Sequence, residues 1–132
     1  MICFIDTSAF FALLDSDDAN HNPARNHWND LLSDGTMLTS SNYVLLETMV
    51  LLQNRLGLAA LRGFHEDIVP LIGVEWVNQE IHSAGMAALL SSGKRALSLV
   101  DCTSFEVMRK LGIRKAFTFD RHFKQQGFQV LA

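Results

Sequence analysis

The stretch Phe4-Ile5-Asp6-Thr7-Ser8 places an acid and two hydroxyls directly after a short apolar run that begins at Ile2. A short run of β-branched and aromatic residues predicts a buried strand over 2–5. The residues that follow have a helical pattern to about Leu14. Because ligands of open α/β sheets gather at the carboxyl ends of strands, the position of Asp6 is typical of a functional site.

Strand and helix patterns alternate along the rest of the chain. Further strands are predicted at 36–39, 74–77, 116–119 and 128–131. Helices are predicted from Pro23 with Asn22 as N-cap, from Ser40 or Ser41 to Leu56, over 58–68, 79–91 and 101–111, and as one turn over 121–125. Such alternation predicts a mainly parallel sheet covered on both faces, in a single α/β domain over 1–132.

Composition excludes several classes of protein. Apolar residues make up 48% of the 132 residues, which excludes general disorder. No apolar run approaches the roughly 20 residues that a bilayer span needs, and no signal peptide is expected, so a cytoplasmic location is predicted. Cys3 and Cys102 are predicted to be small buried hydrophobes, Trp28 and Trp76 to be core residues, and the five histidines to be surface or packing residues.

The charges are distributed unevenly. Residues 1–93 carry three arginines and eleven acids, a net charge of −8, whereas residues 94–132 carry eight bases and three acids, a net charge of +5. This asymmetry fits an anionic partner near the C-terminal third. A solvated basic helix face explains the same distribution.

Four acids stand where a site is expected. Asp6 and Asp120 follow predicted strands, Glu47 lies within an apolar helix, and Asp101 begins another helix. Each has an ordinary explanation as a turn residue, N-cap or edge residue. If they converged, they would repel one another unless a cation neutralised them, and carboxylate oxygens suit Mg²⁺ or Mn²⁺. Such a metal can activate water and stabilise a phosphodiester transition state.

Together the motifs resemble those of the PIN-domain family, especially the toxin ribonucleases of toxin–antitoxin pairs (VapC-like). The match covers essentially the whole chain. The motifs that carry it are 4–8, Asp18 and His21 in the next loop, Glu47, the segment 97–105, and 118–123 followed by Gly127-Phe128.

The resemblance implies a three-layer α/β/α sandwich, Mg²⁺- or Mn²⁺-dependent cleavage of RNA, a homodimer and a protein antitoxin. By position it makes an acidic metal-binding and catalytic quartet of Asp6, Glu47, Asp101 and Asp120. Four hydroxyls become candidates for orienting the ligand carboxylates, each with a capping role as the alternative: Thr7, Ser8, Ser104 and Thr118. Arg95 and Arg121, the bases nearest the quartet in sequence, become candidates for holding RNA phosphate.

Two other functions compete with a ribonuclease. One is a catalytically idle PIN module that binds protein or RNA, although such a module has no need of four converging acids. The other is an aspartate-based phosphatase, which would favour a second Asp at the position of Ser8.

The apolar surface of the first helix has two explanations, burial within the monomer or contact with a partner. It comprises Phe10, Phe11, Leu13 and Leu14.

Overall fold

Five short parallel strands form one sheet at the centre of the protein. The computed structural model describes residues 1–132. The strands are β1 (Ile2–Ile5), β2 (Met37–Ser41), β3 (Gly73–Glu75), β4 (Lys115–Phe117) and β5 (Gln129–Leu131). Their order across the sheet is β3-β2-β1-β4-β5, and every neighbouring pair is parallel. The predicted parallel sheet is confirmed.

Helices flank this sheet, so the predicted three-layer α/β/α sandwich is also confirmed. They are α1 (Thr7–Leu14), α2 (His21–Ser33), α3 (Asn42–Arg55), α4 (Leu58–Gly63), α5 (Gln79–Ser92), α6 (Leu99–Leu111) and α7 (Arg121–Gln125). A π-helical turn (Phe64–Ile68) and a 3₁₀ turn (Val69–Leu71) continue the chain after α4. None of the helices is long and apolar enough to cross a membrane.

Polar residues begin the helices at the carboxyl edge of the sheet. The Ser41 hydroxyl accepts a hydrogen bond from Val44 N, which confirms the predicted start of α3. The predicted start of α2 is wrong, because Asn20 precedes the helix and Pro23 is its third residue. Proline is tolerated there, since the first N–H groups of a helix have no partner within it.

Two further predictions are corrected. The helix expected over 58–68 is regular only to Gly63, and it then widens to a π turn and tightens to a 3₁₀ turn that contains Pro70. Proline has no N–H to continue an α-helical ladder. Trp76 was predicted to be a core residue, but 72% of it is exposed, because it follows the edge strand β3 and has no strand beyond it.

The first helix is packed mostly inside the monomer. Phe10 and Phe11 are buried, and Leu13 and Leu14 are half-buried against the core. This packing favours the burial alternative for α1. Both cysteines are buried and unpaired, as predicted.

The sheet has a topological switch point between β1 and β4. The chain adds β2 and β3 on one side of β1, and β4 and β5 on the other. Connections therefore leave these two strands in opposite directions, which opens a crevice at their carboxyl ends. Asp6 follows β1 directly, and Asp120 lies three residues beyond β4.

A candidate metal centre at the carboxyl ends of β1 and β4

Asp6 lies at the bottom of this crevice, with only 4% of its surface exposed. It is the N-cap of α1, and its Oδ2 accepts hydrogen bonds from the Ser8 hydroxyl at 2.9 Å and the Thr118 hydroxyl at 3.0 Å, with a longer contact from Ser8 N at 3.4 Å. All three of these bonds go to Oδ2, and the only further interaction of the carboxylate is with the backbone N–H of Thr7, which lowers the pKa of Asp6 slightly. One half of the carboxylate is therefore held, and the other half is available.

Ser8 and Thr118 also tie the ends of the two strands together. Thr118 Oγ1 accepts a hydrogen bond from Asp120 N at 2.9 Å, and Ser8 Oγ accepts one from Phe119 N at 2.9 Å. The two hydroxyl oxygens lie 3.2 Å apart. A single hydroxyl thus links the side chain of Asp6 to the backbone of Asp120, so the two acids are positioned relative to each other.

Asp101 enters the crevice from the first turn of α6. It was predicted to begin this helix, but the N-cap is Ser98, and Asp101 is the third helical residue of a capping box. Asp101 N donates to Ser98 Oγ at 3.0 Å, and Ser98 N donates to Asp101 Oδ2 at 3.1 Å. Serine is an equally good N-cap, and an acid at the third position completes the reciprocal pair. Again one carboxylate oxygen, here Oδ1, accepts no hydrogen bond from the protein.

Asp120 is the N-cap of α7. Its Oδ1 accepts a hydrogen bond from His122 N at 2.9 Å, and the His122 ring Nδ1 lies 2.7 Å from the same oxygen. One ligand atom from each of Asp101, Asp120 and His122 lies within 4.8 Å of those of the other two. His122 was expected to be a surface or packing residue, so the sequence interpretation missed its place here. The signal was its spacing of two residues from an N-capping acid.

The electrostatics of the crevice disfavour charge on its acids. Burial, the charge of Asp120 and the charge of Asp6 raise the pKa of Asp101 from 3.8 to about 7, against the lowering effect of its bonds to Ser98. Burial also raises the pKa of Asp6, although its bonds to Ser8 and Thr118 oppose the shift. Asp6, Asp101 and Asp120 are therefore close enough to repel one another.

The structure does not bring every predicted residue into contact with these acids. Glu47 is exposed on α3 and has no hydrogen bond or ion pair to them, so its membership of the quartet stays a prediction. Thr7 Oγ1 contacts Val44 O at 3.4 Å, and Ser104 Oγ donates to Val100 O at 2.7 Å, so neither hydroxyl contacts a carboxylate. Arg95 and Arg121 are both exposed.

The donor set fits a hard divalent cation. Three carboxylates each keep one oxygen without a protein hydrogen bond, and their mutual repulsion falls when positive charge lies between them. Oxygen ligands of this kind suit Mg²⁺ and Mn²⁺. The bonds from Thr118, Ser98 and His122 fix the other oxygens, which orients the free ones.

Known proteins share this architecture. The 23S rRNA-specific endonuclease VapC20 of Mycobacterium tuberculosis is 37% identical over 126 residues, covering 95% of this chain and 94% of that protein. Its crystal structure, described as that of a Sarcin-Ricin loop cleaving toxin, matches with a TM-score of 0.86 and 36% identity over 97% of this chain and 96% of that one. The structure of FitAcB from Neisseria gonorrhoeae, 15% identical, shares the fold with a TM-score of 0.71 over 100% of this chain and 97% of that one.

The resemblance seen in the sequence motifs is confirmed independently by a family model. The model described as PIN domain matches residues 3–129, which include every acid of the predicted quartet. This match, together with a relative that is 37% identical over nearly its whole length, shows that the chain belongs to the PIN domain family.

Proposed function

We propose that this protein is a metal-dependent endoribonuclease that acts as the toxin of a toxin–antitoxin pair. The observation that carries the proposal is the arrangement of Asp6, Asp101 and Asp120, each of which offers a free carboxylate oxygen in one crevice. Similarity to VapC20, which is named a 23S rRNA-specific endonuclease, supports RNA as the substrate class. Its described target, the sarcin–ricin loop, is the first substrate to test.

The three aspartates would hold Mg²⁺ or Mn²⁺, and Glu47 would complete the site from α3. When bound, such a cation supplies Lewis acidity and neutralises charge at a phosphodiester. The chain's own residues keep the free oxygens oriented, because Ser8, Ser98 and Thr118 occupy the others or fix the neighbouring backbone.

RNA would approach along α7. A cavity of about 280 Å³ beside the crevice is lined by Asp120, Arg121 and Lys124, together with Asn20 and Phe119. Arg121 and Lys124 are three residues apart on α7 and therefore lie on the same side of it. They supply positive charge at one end of the acidic crevice, where a flanking phosphate needs it. Arg95, in the loop before α6, is the second candidate for such a contact.

Metal removal tests the proposal. Protein dialysed against EDTA should not cleave an RNA hairpin that carries the sarcin–ricin sequence, and added Mg²⁺ or Mn²⁺ should restore cleavage. The readout is gel analysis of end-labelled RNA. Undiminished cleavage in EDTA would refute the metal-dependent mechanism.

The same preparation separates the competing functions. An idle binding module would retain RNA on a filter at every metal concentration without cutting either the hairpin or total ribosomal RNA. A phosphatase would hydrolyse a small phosphate ester and leave RNA intact. The cytoplasmic location expected from the sequence stays a prediction.

We also propose a homodimer, with the antitoxin as a further protein partner. An apolar groove of about 460 Å³ runs between α3 and β3, lined mainly by Leu45, Leu46, Met49, Val69, Val74 and Trp76. Leu46 and Trp76 are 63% and 72% exposed, and exposed apolar patches of this kind mark protein interfaces. This groove is a better candidate for the interface than α1, whose phenylalanines are buried.

Sedimentation equilibrium tests this interface. The wild-type chain should sediment as a dimer at micromolar concentration, and the double variant Leu46→Ser/Trp76→Ser should shift towards the monomer, because it removes apolar surface from the groove. Leu90→Ser is the matched control, since Leu90 is 73% exposed on α5 and does not line the groove. A wild-type monomer at that concentration would contradict the dimer.

A further inference from the structure

His122 has a buried ring nitrogen with no hydrogen-bond partner. Only 12% of its side chain is exposed, and Nδ1 is fully enclosed. The nearest acceptor, Asp120 Oδ1, lies 2.7 Å away, but the geometry does not make a hydrogen bond, and this oxygen already accepts one from His122 N. Buried polar atoms are normally paired, so an unpaired ring nitrogen beside the carboxylate of Asp120 indicates an additional partner.

The position of the ring fits a cation as that partner. One ligand atom each from His122, Asp101 and Asp120 lies within 4.8 Å of the others. Ligand atoms around a cation with bonds of about 2.1 Å are separated by about 3 to 4 Å, so small movements of side chains would complete the site. Each of the two aspartates also has one carboxylate oxygen that accepts no hydrogen bond from the protein.

We propose that His122 is a nitrogen ligand of the divalent cation, and that the site is therefore a mixed oxygen and nitrogen site selective for Mn²⁺ over Mg²⁺. This inference rests on the proposed function, because it concerns the same cation. Carboxylate oxygens suit both Mn²⁺ and Mg²⁺, but Mg²⁺ demands near-ideal octahedral geometry and gives up its waters reluctantly, so an imidazole ligand in place of a water disfavours Mg²⁺ more. The alternative is an ion pair in which a protonated His122 only positions Asp120.

Pulsed electron paramagnetic resonance of Mn²⁺-loaded protein separates direct coordination from the ion pair. The wild-type chain should show the strong ¹⁴N coupling of a directly bound imidazole, which ¹⁵N-labelled histidine should convert to the ¹⁵N pattern. His122→Asn should lose this coupling. His65→Asn is the matched control, because His65 is exposed on the π-helical turn after α4, and this variant should keep the coupling.

Metal affinity gives a second readout that does not depend on activity. In titrations that compete Mn²⁺ against Mg²⁺, His122→Asn should reduce the preference for Mn²⁺ about tenfold or more, the range found when a residue supporting a metal site is lost. Circular dichroism checks that the variant is folded. Bound Mn²⁺ without ¹⁴N coupling in the wild-type protein would overturn the inference and leave the metal-dependent nuclease intact. Failure to bind Mn²⁺ at all would overturn both.

Discussion

Replacing Asp101 with asparagine is expected to abolish RNA cleavage while leaving the fold intact. Loss of a residue that only supports a metal ligand reduces metal affinity or activity about 10- to 100-fold. Loss of a ligand itself should therefore reduce the cleavage rate at least about 100-fold. The amide can still accept the hydrogen bond from Ser98 N and so keep the capping box of α6. Initial rates on the hairpin RNA, at saturating Mn²⁺ or Mg²⁺, measure the effect.

Arg121→Ala is the comparison that separates chemistry from binding. Asp101→Asn should keep measurable RNA affinity, because it removes negative charge from the crevice. Arg121→Ala should weaken RNA binding. It should also make binding less sensitive to salt: the plot of log affinity against log salt concentration should become less steep by about one, as expected for the loss of one phosphate contact. Cleavage by Asp101→Asn at the wild-type rate would remove Asp101 from the catalytic site.

The metal-free protein is expected to lose stability as the pH rises from about 4 to about 7. Asp101 has a pKa of 3.8 in its reference state and about 7 in the folded chain, and the pKa of Asp6 is raised as well. In this interval the folded chain holds more protons than the unfolded chain, so the free energy of unfolding falls with pH and levels off above 7. The loss should be on the order of 2 kcal/mol, because about 1.4 kcal/mol accompanies each unit of pKa shift and solvent screens part of it.

Urea unfolding in EDTA at pH 4.5, 6 and 8 measures this trend. Asp101→Asn should have a flatter dependence on pH, since it cannot ionise at this position, and should be more stable than the wild-type chain at pH 8. Saturating Mn²⁺ should raise the stability of the wild-type chain most at pH 8, because the cation binds the ionised acids. If the stability of the metal-free protein instead rose from pH 4.5 to pH 8, the raised pKa values of Asp6 and Asp101 would be contradicted.

The sheet and most of its helices could be predicted because their signals are local. The apolar run before Asp6 and the serine before α3 are features of a few neighbouring residues, and both predictions are confirmed. The start of α6 could not be resolved in the same way, because Ser98 and Asp101 are both good capping residues three positions apart. Only the reciprocal hydrogen bonds decide between them.

Other features depend on contacts between distant parts of the chain. The exposure of Trp76 follows from the edge position of β3, which the order of strands determines and local periodicity does not reveal. The enclosure of His122 depends on tertiary packing around α7. The sequence interpretation selected the three aspartates because acids at strand ends and helix starts carry a positional signal. The signal for His122 was weaker, because it lay only in the spacing of two residues from Asp120.

Thr118 and Asp6, which are joined by a hydrogen bond, are synthesised at widely separated times during translation. This hydrogen bond spans 112 positions of the sequence. At a translation rate of about 5–20 residues per second, Thr118 is added roughly 6 to 22 seconds after Asp6. Asp120, the N-cap of α7, is added two residues later, so a chain that ends before it lacks one of the three acids of the crevice. The candidate metal centre is therefore complete only when nearly the whole chain has been made.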